Sequence, residues 1–165
     1  MPNSRPVIVE MRQRPVTGAA SRWVTHQWMI TCVRDASPDL VEPLETAVDS
    51  DARAIAGLNV ELHKSEGEGY WLNLNSPAPC VFVMWRQEDG EMPVPWVATV
   101  SYNEAGRMLD AGEKVENLPM SEPMRAWLQE FTDANYVPEV RKKVKRNDPF
   151  GYTNKDGAFR REVRK

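Results

Sequence analysis

Tyr70-Trp71-Leu72-Asn73-Leu74-Asn75, then Cys80-Val81-Phe82-Val83-Met84-Trp85-Arg86, then Pro93-Val94-Pro95-Trp96-Val97-Ala98-Thr99-Val100-Ser101-Tyr102 are the segments whose reading decides the fold. With Val60-Glu61-Leu62-His63-Lys64 ahead of them, they make residues 60–102 the densest apolar stretch of the chain. Runs rich in β-branched and aromatic residues, separated by Gly, Pro, Asn and Asp clusters, predict successive antiparallel strands. Ser65-Glu66-Gly67-Glu68-Gly69 reads as a hairpin turn within that β-meander, and Tyr70, Leu72 and Leu74 as one face of its central strand.

Two further strands are expected upstream. Residues 6–14 alternate Val7, Val9 and Met11 with Ile8, Glu10 and Arg12; residues 22–34 place Val24, His26, Trp28, Ile30 and Cys32 on one face, taken as core-facing. His26 is then a buried or rim histidine. Between residues 35 and 59 the pattern gives way to prolines and an acidic series, read as a surface excursion with a short helix over residues 44–56, where Ala47, Ala52, Ala54 and Ala56 favour one.

Downstream the period changes. Ser101 three residues before Glu104 is a capping box opening a helix through Ala105, Met108 and Leu109, with Gly112 past its end. Residues 113–120 read as a linker. Ser121 caps a second helix, along which Met124, Trp127, Leu128, Phe131 and Ala134 fall on one stripe. The fold class expected is α+β: a mostly antiparallel β-meander of five to seven strands forming a bent sheet or small barrel, two C-terminal helices packed on it, and a disordered basic tail. Residues 1–138 form a single domain in this reading and 139–165 the flexible tail.

Charge separates these two parts. The formal net charge is −3, but residues 141–165 hold ten Lys or Arg against three Asp or Glu, a net of +7 that leaves the first 140 residues at −10. The cationic run Arg141, Lys142, Lys143, Lys145, Arg146, followed by Phe150, Tyr152 and Phe159, suits an acidic protein surface first and nucleic acid second. Trp71, flanked by asparagines on the mixed face of its expected strand, is read first as core packed against the helices and second as a candidate for partner contact. No apolar run reaches the ~18–20 residues of a membrane-spanning helix. The N-terminal residues lack the apolar core of a secretion signal, so a cytoplasmic location with Cys32 and Cys80 reduced is expected.

Catalytic chemistry finds little purchase. The four soft or borderline metal ligands, His26, Cys32, His63 and Cys80, match no zinc-site spacing, and no metal or other cofactor is expected. No Gly-x-Ser-x-Gly elbow occurs, and the glycine-rich turn carries carboxylates that would repel phosphate. Glu61 and His63 share a strand face, and together with His26 they are the alternative ligand site.

Several blocks carry a family resemblance: Arg22-Trp23-Val24-Thr25-His26-Gln27-Trp28, Glu61-Leu62-His63, Glu68-Gly69-Tyr70-Trp71-Leu72-Asn73-Leu74-Asn75-Ser76-Pro77, Val81-Phe82-Val83-Met84-Trp85-Arg86 and Val100-Ser101-Tyr102-Asn103-Glu104-Ala105. In this combination the chain, over about residues 7–138, resembles the DUF3305 family of small bacterial proteins, which has no established activity and so transfers no catalytic or ligand residue. The resemblance implies genomic company with formate dehydrogenase and other molybdenum or tungsten enzymes. The expected function is therefore a non-catalytic accessory or maturation protein of a molybdenum or tungsten formate dehydrogenase, acting by protein contacts with the enzyme or its maturation factors. The alternative is a small enzyme or ligand-binding protein in molybdopterin cofactor metabolism.

Overall fold

In the computed structural model, which describes residues 2–36, 45–49, 51–88 and 92–138, seven strands and three helices build an α+β fold. The strands are β1 (Ser4–Pro15), β2 (His26–Asp35), β3 (Glu45–Asp49), β4 (Ala52–Glu61), β5 (Cys80–Arg86), β6 (Val94–Thr99) and β7 (Lys114–Pro119); the helices are α1 (Gly67–Leu74), α2 (Tyr102–Asp110) and α3 (Glu122–Asn135). The sheet runs β2-β1-β4-β6-β5-β7, with β3 paired to β4. Every pairing is antiparallel except β4 with β6, which meet in parallel at Val60 and Ala98. Its two end strands, β2 and β7, approach each other, so the sheet nearly closes on itself.

The concave face holds the core. Val7, Val9 and Met11 of β1, Trp28 and Ile30 of β2, Val81, Val83 and Trp85 of β5, and Ala98 of β6 project into one cluster. Tyr70 and Leu74 of α1 fill it from one side, and Met124, Trp127, Leu128 and Phe131 of α3 from another. Of the stripe expected on the last helix, Met124, Trp127, Leu128 and Phe131 dock while Ala134 is exposed, and Phe131 meets the edge of Tyr70 at a centroid distance of 6.0 Å.

Bulges adjust which side chains reach this face. Between Glu10 and Met11 the β1–β2 register shifts, so Val33 opposite Val9 is buried while Cys32 pairs with Glu10 on the other side. That overturns the core placement expected for Cys32. His26 is exposed, as the last pair of the hairpin opposite Pro15, beyond the core. A second shift between Val7 and Val9 puts Gly57 at φ 102°, a conformation other residues rarely adopt.

Three expectations for residues 35–120 are corrected. Residues 70–75 are not a strand, and 65–69 are not a hairpin turn: a 3-10 turn at Lys64–Glu66 leads into α1. Tyr70, Asn73 and Leu74 are the buried positions, which is helical spacing, and the alternation of Tyr70, Leu72 and Leu74 fits a strand only by coincidence of i and i+4. Residues 52–56 are not helical, since Ala52, Ala54 and Ala56 are buried at period two in β4. Residues 113–120 are not a plain linker but contain β7. The fold therefore has a third helix besides the two expected. Calls on the tail, including Arg141, Lys142, Lys143, Lys145, Arg146, Phe150 and Tyr152, lie outside the described residues.

Candidate functional site

Where β4 and β6 run parallel, both strands leave the sheet at the same end. Polar side chains do collect there. Ser101 caps α2: its Oγ accepts the Glu104 backbone N–H at 3.1 Å and donates to Glu66 Oε2 at 2.6 Å. Arg107 Nη2 donates to the other Glu66 oxygen at 2.7 Å. The Glu104 carboxylate accepts from Thr99 Oγ1 at 2.6 Å, and Thr99 Oγ1 accepts the Ser101 backbone N–H at 3.1 Å. The capping box is thus closed through Thr99 rather than directly.

The electrostatics agree with a satisfied network. Burial alone would raise the Glu66 pKa, but the hydrogen bonds from Ser101 and Arg107, with the charges of Arg107 and His63, outweigh it and hold the carboxylate below its ordinary value. Ser101 is fully buried with its hydroxyl engaged on both sides, so it is no exposed nucleophile. The network fixes α2 to α1. Gly69 comes so close to the Ser101 hydroxyl that a side chain there would overlap it.

What this anchoring displays is apolar. Val81, Val83 and Trp85 point into the core, so Phe82 points to the opposite, convex face of the sheet. There α2 lies beside β5 and β7, and Tyr102 meets Phe82 edge-on at 6.0 Å between centroids. Ala105, Gly106 and Leu109 continue the wall along α2, and Val115 and Asn117 of β7 form the opposite side of an open groove of ≈ 270 Å³. Tyr102 is 54% exposed and Leu109 55%, although both are large and apolar over most of their surface. Asn117 and the Tyr102 hydroxyl are the polar side-chain groups among these lining residues. Such a groove receives apolar side chains; it offers no acid–base pair.

The sequence-predicted residues fall elsewhere. His63 Nε2 stands 3.6 Å from Glu61 Oε2 with both side chains largely exposed. His26 does not join them: Glu61 pairs with Ser4 and His26 with Pro15, the opposite ends of β1, roughly 35 Å apart along an extended strand. The alternative three-residue site is therefore not assembled. Among the described residues no group of three or more His, Cys, Asp or Glu is placed to hold a metal ion. Cys80 and Cys32 have thiols raised in pKa, first by burial, and Cys32 also by Glu10. Asn73 ties Cys80 into the fold, donating to the carbonyls of Cys80 and Val100 at 2.7 and 2.8 Å and accepting the Cys80 N–H at 3.0 Å. Trp71, read on a strand, stands instead on α1 and is 36% exposed.

Sequence reasoning missed Tyr102, Leu109 and Phe82. The signal available was the spacing of Tyr102, Ala105, Gly106 and Leu109, which shares one helix face, but period alone does not say that this face remains open.

The model of a protein family described as Protein of unknown function (DUF3305) matches residues 6–146. No curated protein and no solved structure matches the chain.

Proposed function

The chain belongs to the DUF3305 family, and we propose that it is a non-catalytic accessory or maturation protein of a molybdenum or tungsten formate dehydrogenase, acting by protein contacts centred on the α2 groove. The identity of the partner rests on the genomic company that the family resemblance implies. The contact surface rests on one observation: Tyr102 and Leu109, more than half exposed, border an apolar groove on a helix held rigidly from behind by Ser101, Glu66 and Arg107. Preorganised apolar and aromatic side chains are what interface hot spots are made of. Residues 141–165 add cationic charge that would speed encounter with an acidic partner.

Purified formate dehydrogenase immobilised on a sensor, with the full-length protein passed over it, tests this reading. Leu109→Asp should weaken binding at least about tenfold, the scale of a lost hot spot, while leaving the melting temperature near that of the parent because Leu109 is largely exposed. Raising the salt should slow association. Equal binding by the variant, or no binding by the parent, overturns the reading.

A further inference from the structure

The β1–β2 hairpin runs past the core and ends in a tip whose composition is unlike the rest of the body. Among residues 14–27 none of the described side chains is buried. The ladder nonetheless continues to Pro15 and His26, then to a Val16 N–H to Thr25 carbonyl bond of 3.0 Å, and the turn is tied by Ser21, whose N–H and Oγ both donate to the Gly18 carbonyl. At this ordered tip Trp23 is 88% exposed and Val24 51%. Arg14 and Arg22 stand on the same tip, and from Met11 to Arg34 the sequence contains no Asp or Glu at all. At the base of the tip the Gln13 N–H donates to the Asp51 backbone carbonyl at 2.8 Å. A hollow of ≈ 240 Å³ on the hairpin is lined by Arg14, Pro15, Val16, Thr17, Gln27 and Met29, so a guanidinium, a hydroxyl and an amide border it without a carboxylate.

We propose that this hairpin tip is a contact site for an anionic membrane surface, with the Trp23 indole and Val24 entering the headgroup region and Arg14 and Arg22 engaging lipid phosphates. Tryptophan settles at the boundary between headgroups and acyl chains, where its ring is apolar and its N–H finds partners. Arginine adds attraction to anionic lipid, and a weak apolar insertion combined with basic residues gives reversible attachment where either alone is marginal. The geometry favours a membrane over a protein, because one indole and one valine on a narrow tip fall well short of the roughly 800 Å² each partner contributes to a standard interface. It favours a membrane over nucleic acid because two arginines neutralise few phosphates along a strand, whereas Val24 beside the exposed Trp23 indole suits an acyl-chain boundary. This site lies apart from the α2 groove, so either proposal stands if the other falls.

Full-length protein is mixed with phosphatidylcholine vesicles with and without phosphatidylglycerol, some carrying bromine-labelled acyl chains that quench nearby indoles. Binding should require phosphatidylglycerol, and bromolipid should quench the parent's fluorescence but not that of Trp23→Ala. Trp23→Ala should lower partition at least about tenfold and Arg14→Gln or Arg22→Gln about fivefold each, all with unchanged melting temperature. Vesicle binding unaffected by Trp23→Ala overturns the proposal, as does Trp23-dependent binding to a single-stranded oligonucleotide without any binding to vesicles.

Discussion

Glu116 Oε2 on β7 accepts the backbone N–H of Ile30 on β2 at 3.0 Å, across a seam where the two end strands of the sheet share no ladder. Its other oxygen accepts Trp85 Nε1 at 2.9 Å. One carboxylate therefore satisfies two donors at the place where the sheet would otherwise leave an edge open. Glu116→Ala strands both donors and should cost about 3 kcal/mol, whereas Glu116→Gln, which keeps one acceptor oxygen, should cost roughly half of that. Urea titration gives both values, and near-ultraviolet circular dichroism should report the loosened Trp85. Equal midpoints for parent and Glu116→Ala would show the seam needs no latch.

Gly69 is the third residue of α1, in a helix where alanine would ordinarily be favoured by up to about 1 kcal/mol. Here a Cβ would overlap Ser101 Oγ and come within 3.1 Å of the Asn103 backbone nitrogen. Gly69→Ala is expected to destabilise by about 1–3 kcal/mol, since Ser101 is fully buried and the Asn103 contact is backbone. A thermal melt of the single variant decides it; a raised midpoint would mean the α1–α2 junction gives way freely.

How much of this was legible beforehand depends on what period could decide. β1, β5, β6, α2 and α3 stand about where alternation, an apolar run or a capping Ser placed them, whereas β2 begins at His26 rather than residue 22 and leaves Val24, expected on the core face, exposed. α1 was misread because eight residues give too little length to separate the two periods. What settles it is Asn73, buried for its bonds to the backbone of Cys80 and Val100, a tertiary fact with no local sequence signal. β4 was hidden by its alanines, good helix formers that here are buried at every second position, with Arg53 and Ile55 partly exposed between them. For the site, the spacing of Tyr102 and Leu109 was visible, but the groove depends on β7 coming alongside α2, which the sequence reading had as a linker. His26, Glu61 and His63 were grouped by residue type, and strand register separates them.

Trp127 is the anchor of α3. Its ring is buried in the core, its Nε1 donates to the Pro2 carbonyl at 3.0 Å, and the Arg5 guanidinium lies 5.3 Å from its centroid. Trp127→Ala should cost about 3–5 kcal/mol, and Trp127→Phe less, because it restores most of the volume but not the hydrogen bond. Chemical denaturation of the three proteins should rank them in that order. An unmoved midpoint for Trp127→Ala would mean α3 contributes little to the core.

Tyr70 makes stability depend on alkaline pH. Burial, ahead of the nearby Glu104 and Glu66 charges, pushes its pKa from 10.0 up to about 12, against the opposing hydrogen bond its hydroxyl accepts from the His63 N–H at 2.9 Å. In the unfolded chain the phenol ionises near its ordinary value, so above that pH the unfolded state releases a proton that the folded state retains. The stabilisation of the neutral phenol is complete below the unfolded pKa and is lost as pH rises toward the folded value. Tyr70→Phe removes this titration and also the bond to His63, so it should be less stable by about 1 kcal/mol at neutral pH yet fall less steeply on the alkaline side. Urea midpoints of parent and variant measured from about pH 8 to about pH 11 should therefore converge as pH rises, and parallel curves would place the Tyr70 hydroxyl in contact with water in the folded protein.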